Sequence, residues 1–144
     1  MSLRWIHENP PRWDESKAVI VGGTPAGVFK PEPRELGGLI GGEWWRVEDD
    51  GAVVGYGWMD CTWGDAEILL AVAESSRKRG VGTFILDRLE QEAAERGVNY
   101  ILNEVRATHP DRAGITNWLE QRRFARASDG RLMRRVVHPV EKPE

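Results

Sequence analysis

The chain has 144 residues, a formal charge of −3 and a pI near 5.7. That length suits one domain with one core, and the acidic balance argues against a general nucleic-acid binder, which carries a basic surface. No apolar run reaches the roughly 18 residues of a membrane span.

The N-terminal stretch MSLRWIHENPPRWDE has no apolar stretch of the secretory kind, and Cys61 is the only cysteine, so no internal disulfide can form. A cytoplasmic location is the expectation. The first 42 residues carry weak signals. AVIVGG (18–23) reads as a short strand, with β-branched residues ending in glycines. FKPEPRELGGLIGG after it reads as loop, with room for one helical turn.

From Gly42 the pattern sharpens. EWWRVED (43–49) reads as a strand, Asp50-Gly51 as a hairpin turn, and AVVGYGWMDCTW (52–63) as a second strand. Gly64-Asp65 reads as another turn and AEILLAVAE (66–74) as a third strand, completing an antiparallel meander. A helix follows from about 80 to 96, with Val81, Phe84, Ile85, Leu89 and Ala93 on one face and Gly97 as its stop. NYILNEVRA (99–107) reads as a strand. DRAGITNWLEQRR (111–123) reads as a helix with Asp111 as N-cap after Pro110. Phe124 to Val137 reads as two strands turned at Asp129-Gly130. The order β-β-β-β-α-β-α-β-β predicts an α+β fold with a mixed, mostly antiparallel sheet flanked by helices.

A strand that ends in a glycine loop and opens a helix can hold an anion. The first helical N–H groups lack internal partners, and the helix dipole adds partial positive charge. In SSRKRGVGT (75–83), Gly80 and Gly82 let a ligand approach the backbone, and Arg77, Lys78 and Arg79 add charge. A diphosphate is the natural guest. Two nucleotide motifs are excluded: GxxxxGK followed by serine or threonine does not occur, and GxGxxG would need glycine where Ile85 stands. What remains is RxxGxG from Arg77 to Gly82, which taken alone fits a plain helix entry equally well.

The segment VAESSRKRGVGTFILDRLEQEA resembles motif A of the GNAT N-acetyltransferase superfamily: glutamine or arginine, two residues, glycine, one residue, glycine or alanine. A second resemblance is Trp118-Leu119-Glu120-Gln121-Arg122-Arg123-Phe124, which looks like the end of that family's fourth helix. The resemblance spans about residues 43–137 of a single 1–144 domain, leaving 1–42 as a divergent N-terminal part and 138–144 as a tail. It implies acetyl-coenzyme A as co-substrate and an amine as acceptor. It implies pyrophosphate on the loop Arg77, Lys78, Arg79, Gly80, Val81, Gly82 and Thr83. It implies the pantetheine arm along a splayed strand end, Leu70, Ala71, Val72 and Ala73. Two positions depart from the family pattern. Leu119 stands where the family often has a tyrosine as general acid, and Arg123 replaces a glycine. Tyr56 and Tyr100, the only tyrosines, fall in predicted strands.

Direct attack on a thioester needs an amine that has lost its proton, from an ordinary pKa near ~10.4. A carboxylate or histidine can take it. Glu67 is the first candidate base, resembling a strand glutamate of the histone-acetylating branch, although its spacing to the glycine loop is one residue shorter. Asp60 is the second, because a mid-strand carboxylate is disfavoured unless it faces water or a site. Glu104 is a weaker third, and His109, between a strand and a helix, is a candidate relay or acid. Cys61 has no His/Asp pattern beside it and is not expected to be a nucleophile; no metal-ligand spacing appears. Trp44 and Trp45 should face opposite sides of the sheet, as should Trp58 and Trp63; half of them as core is the favoured reading, and some lining an acceptor cleft for an apolar or cationic substrate is the alternative. A non-catalytic acyl-coenzyme A sensor or interaction module of the same fold is the alternative. The exposed edges of such a sheet suit a homodimer.

Overall fold

The computed structural model describes residues 2–21, 36–105 and 112–137. Within them the chain forms seven strands, β1 Leu3–Glu8, β2 Glu43–Asp49, β3 Ala52–Thr62, β4 Asp65–Val72, β5 Tyr100–Asn103, β6 Ala125–Arg126 and β7 Leu132–Arg135. The described helices are α1 Glu15–Ile20, α2 Val81–Glu95 and α3 Arg112–Glu120. The strands make one sheet in the order β1-β2-β3-β4-β5-β7-β6. Every neighbouring pair is antiparallel except β4 and β5. The predicted mixed, mostly antiparallel α+β sheet is therefore present.

Two left-handed dipeptides fold the meander. Asp50 and Gly51 have φ of 54° and 85°, and Trp63 and Gly64 have φ of 54° and 82°. Positive φ at both central residues matches the strand twist and closes tight hairpins. The second turn is thus Trp63-Gly64, one residue earlier than expected. Trp63 leaves the strand and stands 98% exposed at the tip, so its assignment to a face of the second strand is corrected. A β-bulge between Val47 and Glu48 shifts the β2–β3 register.

The sheet buries both faces. Trp45, Val47, Met59, Ala66 and Ile68 pack with Val81, Ile85 and Leu89 of α2. Trp44, Tyr56, Trp58, Leu69 and Ala71 pack on the other side with Ile20 of α1 and with Val21. Trp44 and Trp45 do face opposite ways, as alternation requires. Trp5 of β1 stacks on Trp45 with ring centroids 5.4 Å apart.

The strand expected over 18–23 is instead the end of α1. Asp14 caps that helix, its side chain accepting from the Lys17 N–H at 2.8 Å. Lys17, Ile20 and Val21 are buried while Val19 is exposed. That is a helical period, and the β-branched composition lost to the cap and to burial. Gly22 and Gly23 lie outside the described residues. The seventh strand is β1, LRWIHE, where no strand is expected from the sequence.

The remaining elements follow the sequence with trimmed ends. α2 runs Val81–Glu95 with Arg96 as C-cap and Gly97 at φ 70° just beyond. Leu86 joins its buried face. β5 is shorter than the predicted 99–107, ending at Asn103, and residues 106–107 lie outside the described residues. α3 ends at Glu120, and the expected cap Asp111 lies outside the described residues.

Candidate functional site

β4 leads directly into the glycine loop. After Val72 come a short 3-10 turn, Glu74–Ser76, then Arg77, Lys78 at φ 63° and Gly80 at φ 87°, and then α2. The left-handed Gly80 is the N-cap and brings no side chain to the helix end. Phe84 N–H donates to the Gly80 carbonyl at 3.0 Å as the helix starts. The N–H groups of Val81, Gly82 and Thr83 therefore have no intrahelical acceptor. Arg77, Lys78, Arg79 and Gly80 are all exposed beside them. Cations and open amides converge at the start of a 15-residue helix, an arrangement that attracts phosphate.

β4 also opens an edge. Among the described residues it pairs with β5 only through Asp65↔Tyr100, Ala66↔Ile101 and Glu67↔Leu102, and then the ladder stops. Where they part, the Asn103 side-chain amide donates to the Ile68 carbonyl at 3.0 Å. Backbone polar groups of a strand alternate between its two neighbours. The Ala73 N–H donates to the Val54 carbonyl of β3 at 2.8 Å, while the Ile68 carbonyl faces β5. Leu70 and Val72 thus direct their N–H and C=O groups into the fork. Ala71 and Ala73 direct theirs toward β3. The four residues expected as one binding edge split into two that face the opening and two that hold the sheet.

α3 forms a wall against the loop. A Cβ placed on Gly82 would lie 3.4 Å from the Trp118 ring and 3.9 Å from the Leu70 side chain. The Arg122 guanidinium lies over the Trp118 ring at 3.9 Å. It donates to the Trp118 carbonyl at 3.0 Å and to Thr83 Oγ1 at 3.2 Å. A fourth cation is thereby fixed on the first turn of α2. Neither Asn103 nor Arg122 was singled out from sequence, since each acts across a long chain separation.

Asp60 and Glu67 sit directly opposite each other on β3 and β4. They share the sheet face of Trp58 and Leu69, with Asp60 exposed and Glu67 half-buried. Glu67 is also the last β4 residue before the fork. Arg131 lies within electrostatic reach of both Glu104 and Glu67, which contribute to raising its pKa behind the larger effect of its hydrogen bond to Asp129. His109 lies outside the described residues.

Tyr56 is buried on the α1 side, its hydroxyl donating to Asp14 Oδ1 at 3.4 Å. Burial first, then the charge of Asp14, hold its phenol well above its ordinary value. Leu119 is buried at 3% exposure. Cys61 is exposed, yet burial of the thiol itself and the nearby Glu43 carboxylate push its pKa up, the wrong direction for a nucleophile. Among the described residues no group of three or more His, Cys, Asp or Glu could hold a metal ion. No described helix is long and apolar enough to cross a membrane.

The sequence matches the family described as acetyltransferase (GNAT) domain over residues 41–121. The chain belongs to the GNAT acetyltransferase family. The matched region runs from β2 through α3 and so contains the fork, the loop and the Trp118 wall. Among curated proteins, a mycothiol acetyltransferase of Geodermatophilus obscurus is 34% identical over an alignment of 133 residues that covers 86% of this chain and 41% of that protein. This GNAT chain therefore spans about two-fifths of that relative's length. Among solved structures, N-acetylglutamate synthase from Neisseria gonorrhoeae, complexed with coenzyme A and N-acetyl-glutamate, superposes with a TM-score of 0.69 at 18% identity. The match covers 94% of this chain and 36% of that one. The ribosomal-protein-S18-alanine N-acetyltransferase from Escherichia coli gives a TM-score of 0.55 at 21% identity, covering 70% of this chain and 73% of that one. These two likenesses establish the GNAT fold.

Proposed function

We propose that this chain is an N-acetyltransferase domain that moves an acetyl group from acetyl-coenzyme A to a primary amine by direct attack in a ternary complex. The observation that carries this reading is the alignment of an open strand edge with a cationic helix start. Leu70 and Val72 offer backbone groups to an extended amide-bearing arm, and the same strand runs on into the loop where Val81, Gly82 and Thr83 offer N–H groups to a diphosphate. Acetyl-coenzyme A has those two parts in that order. Arg77, Lys78, Arg79 and Arg122 supply the countercharge.

Glu67 takes the acceptor's proton, and Asp60 opposite it favours a cationic amine at the same face. The amine nitrogen bonds to the thioester carbon, the carbonyl oxygen is held by an N–H at the fork, and the C–S bond breaks as the nitrogen's second proton passes to the departing sulfur, leaving the amide and the coenzyme thiol. Because the curated relative is a mycothiol acetyltransferase, a mycothiol-type acceptor belongs in the first panel of amines, beside peptides and small diamines. A second copy of the chain would add at an outer strand of the sheet, β1 or β6.

The test is thiol release from acetyl-coenzyme A across that panel, with Glu67→Gln beside the unaltered protein. Release with at least one amine is expected, and Glu67→Gln should lower turnover by about two orders of magnitude and flatten its pH profile. Unchanged turnover across pH would remove Glu67 as base. Tight coenzyme binding with no release from any amine would favour the non-catalytic sensor, a reading that the buried Leu119 at the family's tyrosine position supports.

A further inference from the structure

We infer that Asn103 is a positioning residue: its side-chain amide stops the β4–β5 ladder at one register and so leaves the Leu70 and Val72 backbone open for the pantetheine arm. This role rests on the coenzyme reading above.

β5 does not end where it leaves β4. On its far side it still pairs with β7 through Asn103↔Leu132. Only the β4 side lets go, after Glu67↔Leu102. Continued pairing would set Ile68 beside Asn103. In place of a backbone bond there, the Asn103 amide spans the gap to the Ile68 carbonyl at 3.0 Å. Ile68 is 1% exposed, so its carbonyl would otherwise be a buried acceptor with no partner. The side chain satisfies it while standing the two strands farther apart than a ladder bond would. The next groups along β4 that face this way, those of Leu70 and Val72, then lie beyond reach of β5.

The chemistry limits which residue can do this. The role needs an N–H donor on a short side chain. Aspartate matches asparagine in size but, ionised, only accepts. The phosphate end of the site is anchored separately, by the Glu74–Ser76 turn, Gly80 and the Arg122–Thr83 contact. Loss of the amide should therefore be felt by one half of the coenzyme and not the other.

The experiment compares the unaltered chain with Asn103→Ala, Asn103→Asp and Asn103→Gln. Each is titrated with coenzyme A and with the coenzyme's nucleotide half, which lacks the pantetheine arm. Asn103→Ala and Asn103→Asp should bind coenzyme A about tenfold more weakly and the nucleotide half within about twofold of the unaltered chain. Asn103→Gln, with the same donor on a longer arm, should recover part of the loss. If Asn103→Ala does not fold, the size-matched Asn103→Asp carries the same comparison. Unchanged coenzyme A affinity, or equal loss of both ligands, would overturn the role. Failure of the unaltered chain to bind coenzyme A would instead overturn the coenzyme reading, and this role with it.

Discussion

Gly82 shows how much a missing side chain can matter. It lies in the first turn of α2 with ordinary van der Waals room for a Cβ, facing the Trp118 ring. A larger group there would fill the space between Trp118, Leu70 and the open amides. Gly82→Phe should leave the fold in place, because helix interiors favour most residues over glycine. Coenzyme affinity should fall about a hundredfold or more by calorimetry; unchanged affinity would contradict the site. Tyr56 makes a second prediction, on stability. Its phenol is held above the ordinary 10.0, chiefly by burial and then by Asp14. Above that value the unfolded chain releases the proton while the folded chain keeps it. The contribution is fully present below pH 10 or so and is lost as pH climbs through the folded value. Alkaline denaturation should therefore be blunted in Tyr56→Phe, and an identical alkaline profile would contradict the burial account.

At the level of elements, the meander and α2 were legible because local chemistry and tertiary packing agree there. Asp50-Gly51 specifies a turn, β2 to β4 alternate between two buried faces, and Gly97 ends the helix. AVIV favours a strand by composition yet ends α1. The cap that overrides it, Asp14, lies outside that run. Lys17 is buried against Asp14 at 3.1 Å, an i,i+3 pair, and against Glu8 of β1 at 2.6 Å, a contact between elements with no signature in sequence spacing. A six-residue helix holds little stability of its own, so α1 should depend on that cap. Asp14→Ala should cost at least about 1 kcal/mol by denaturant unfolding, and a cost near zero would contradict this view of α1. Asn103 and Arg122 escaped the sequence for a related reason. Their partners Ile68 and Thr83 lie 35 and 39 residues away, and neither spacing is periodic.

For the whole molecule, one sheet carries two cores and one fork. α2 covers one face, α1 the other, and β4–β5, the one parallel pair among the described strands, opens toward the loop at the start of α2. β4 carries the fork edge at Leu70 and Val72, faces Asp60 of β3 through Glu67, and runs on into the glycine loop. The GNAT family match, over residues 41–121, runs from β2 through α3 and includes the fork and the loop. The most direct test of the account is calorimetric titration of the unaltered chain with acetyl-coenzyme A and with free coenzyme A. Micromolar binding of both is expected, weakened by salt because several cations would meet the phosphates. No heat of binding for either at millimolar concentration would mean that the glycine loop only starts a helix.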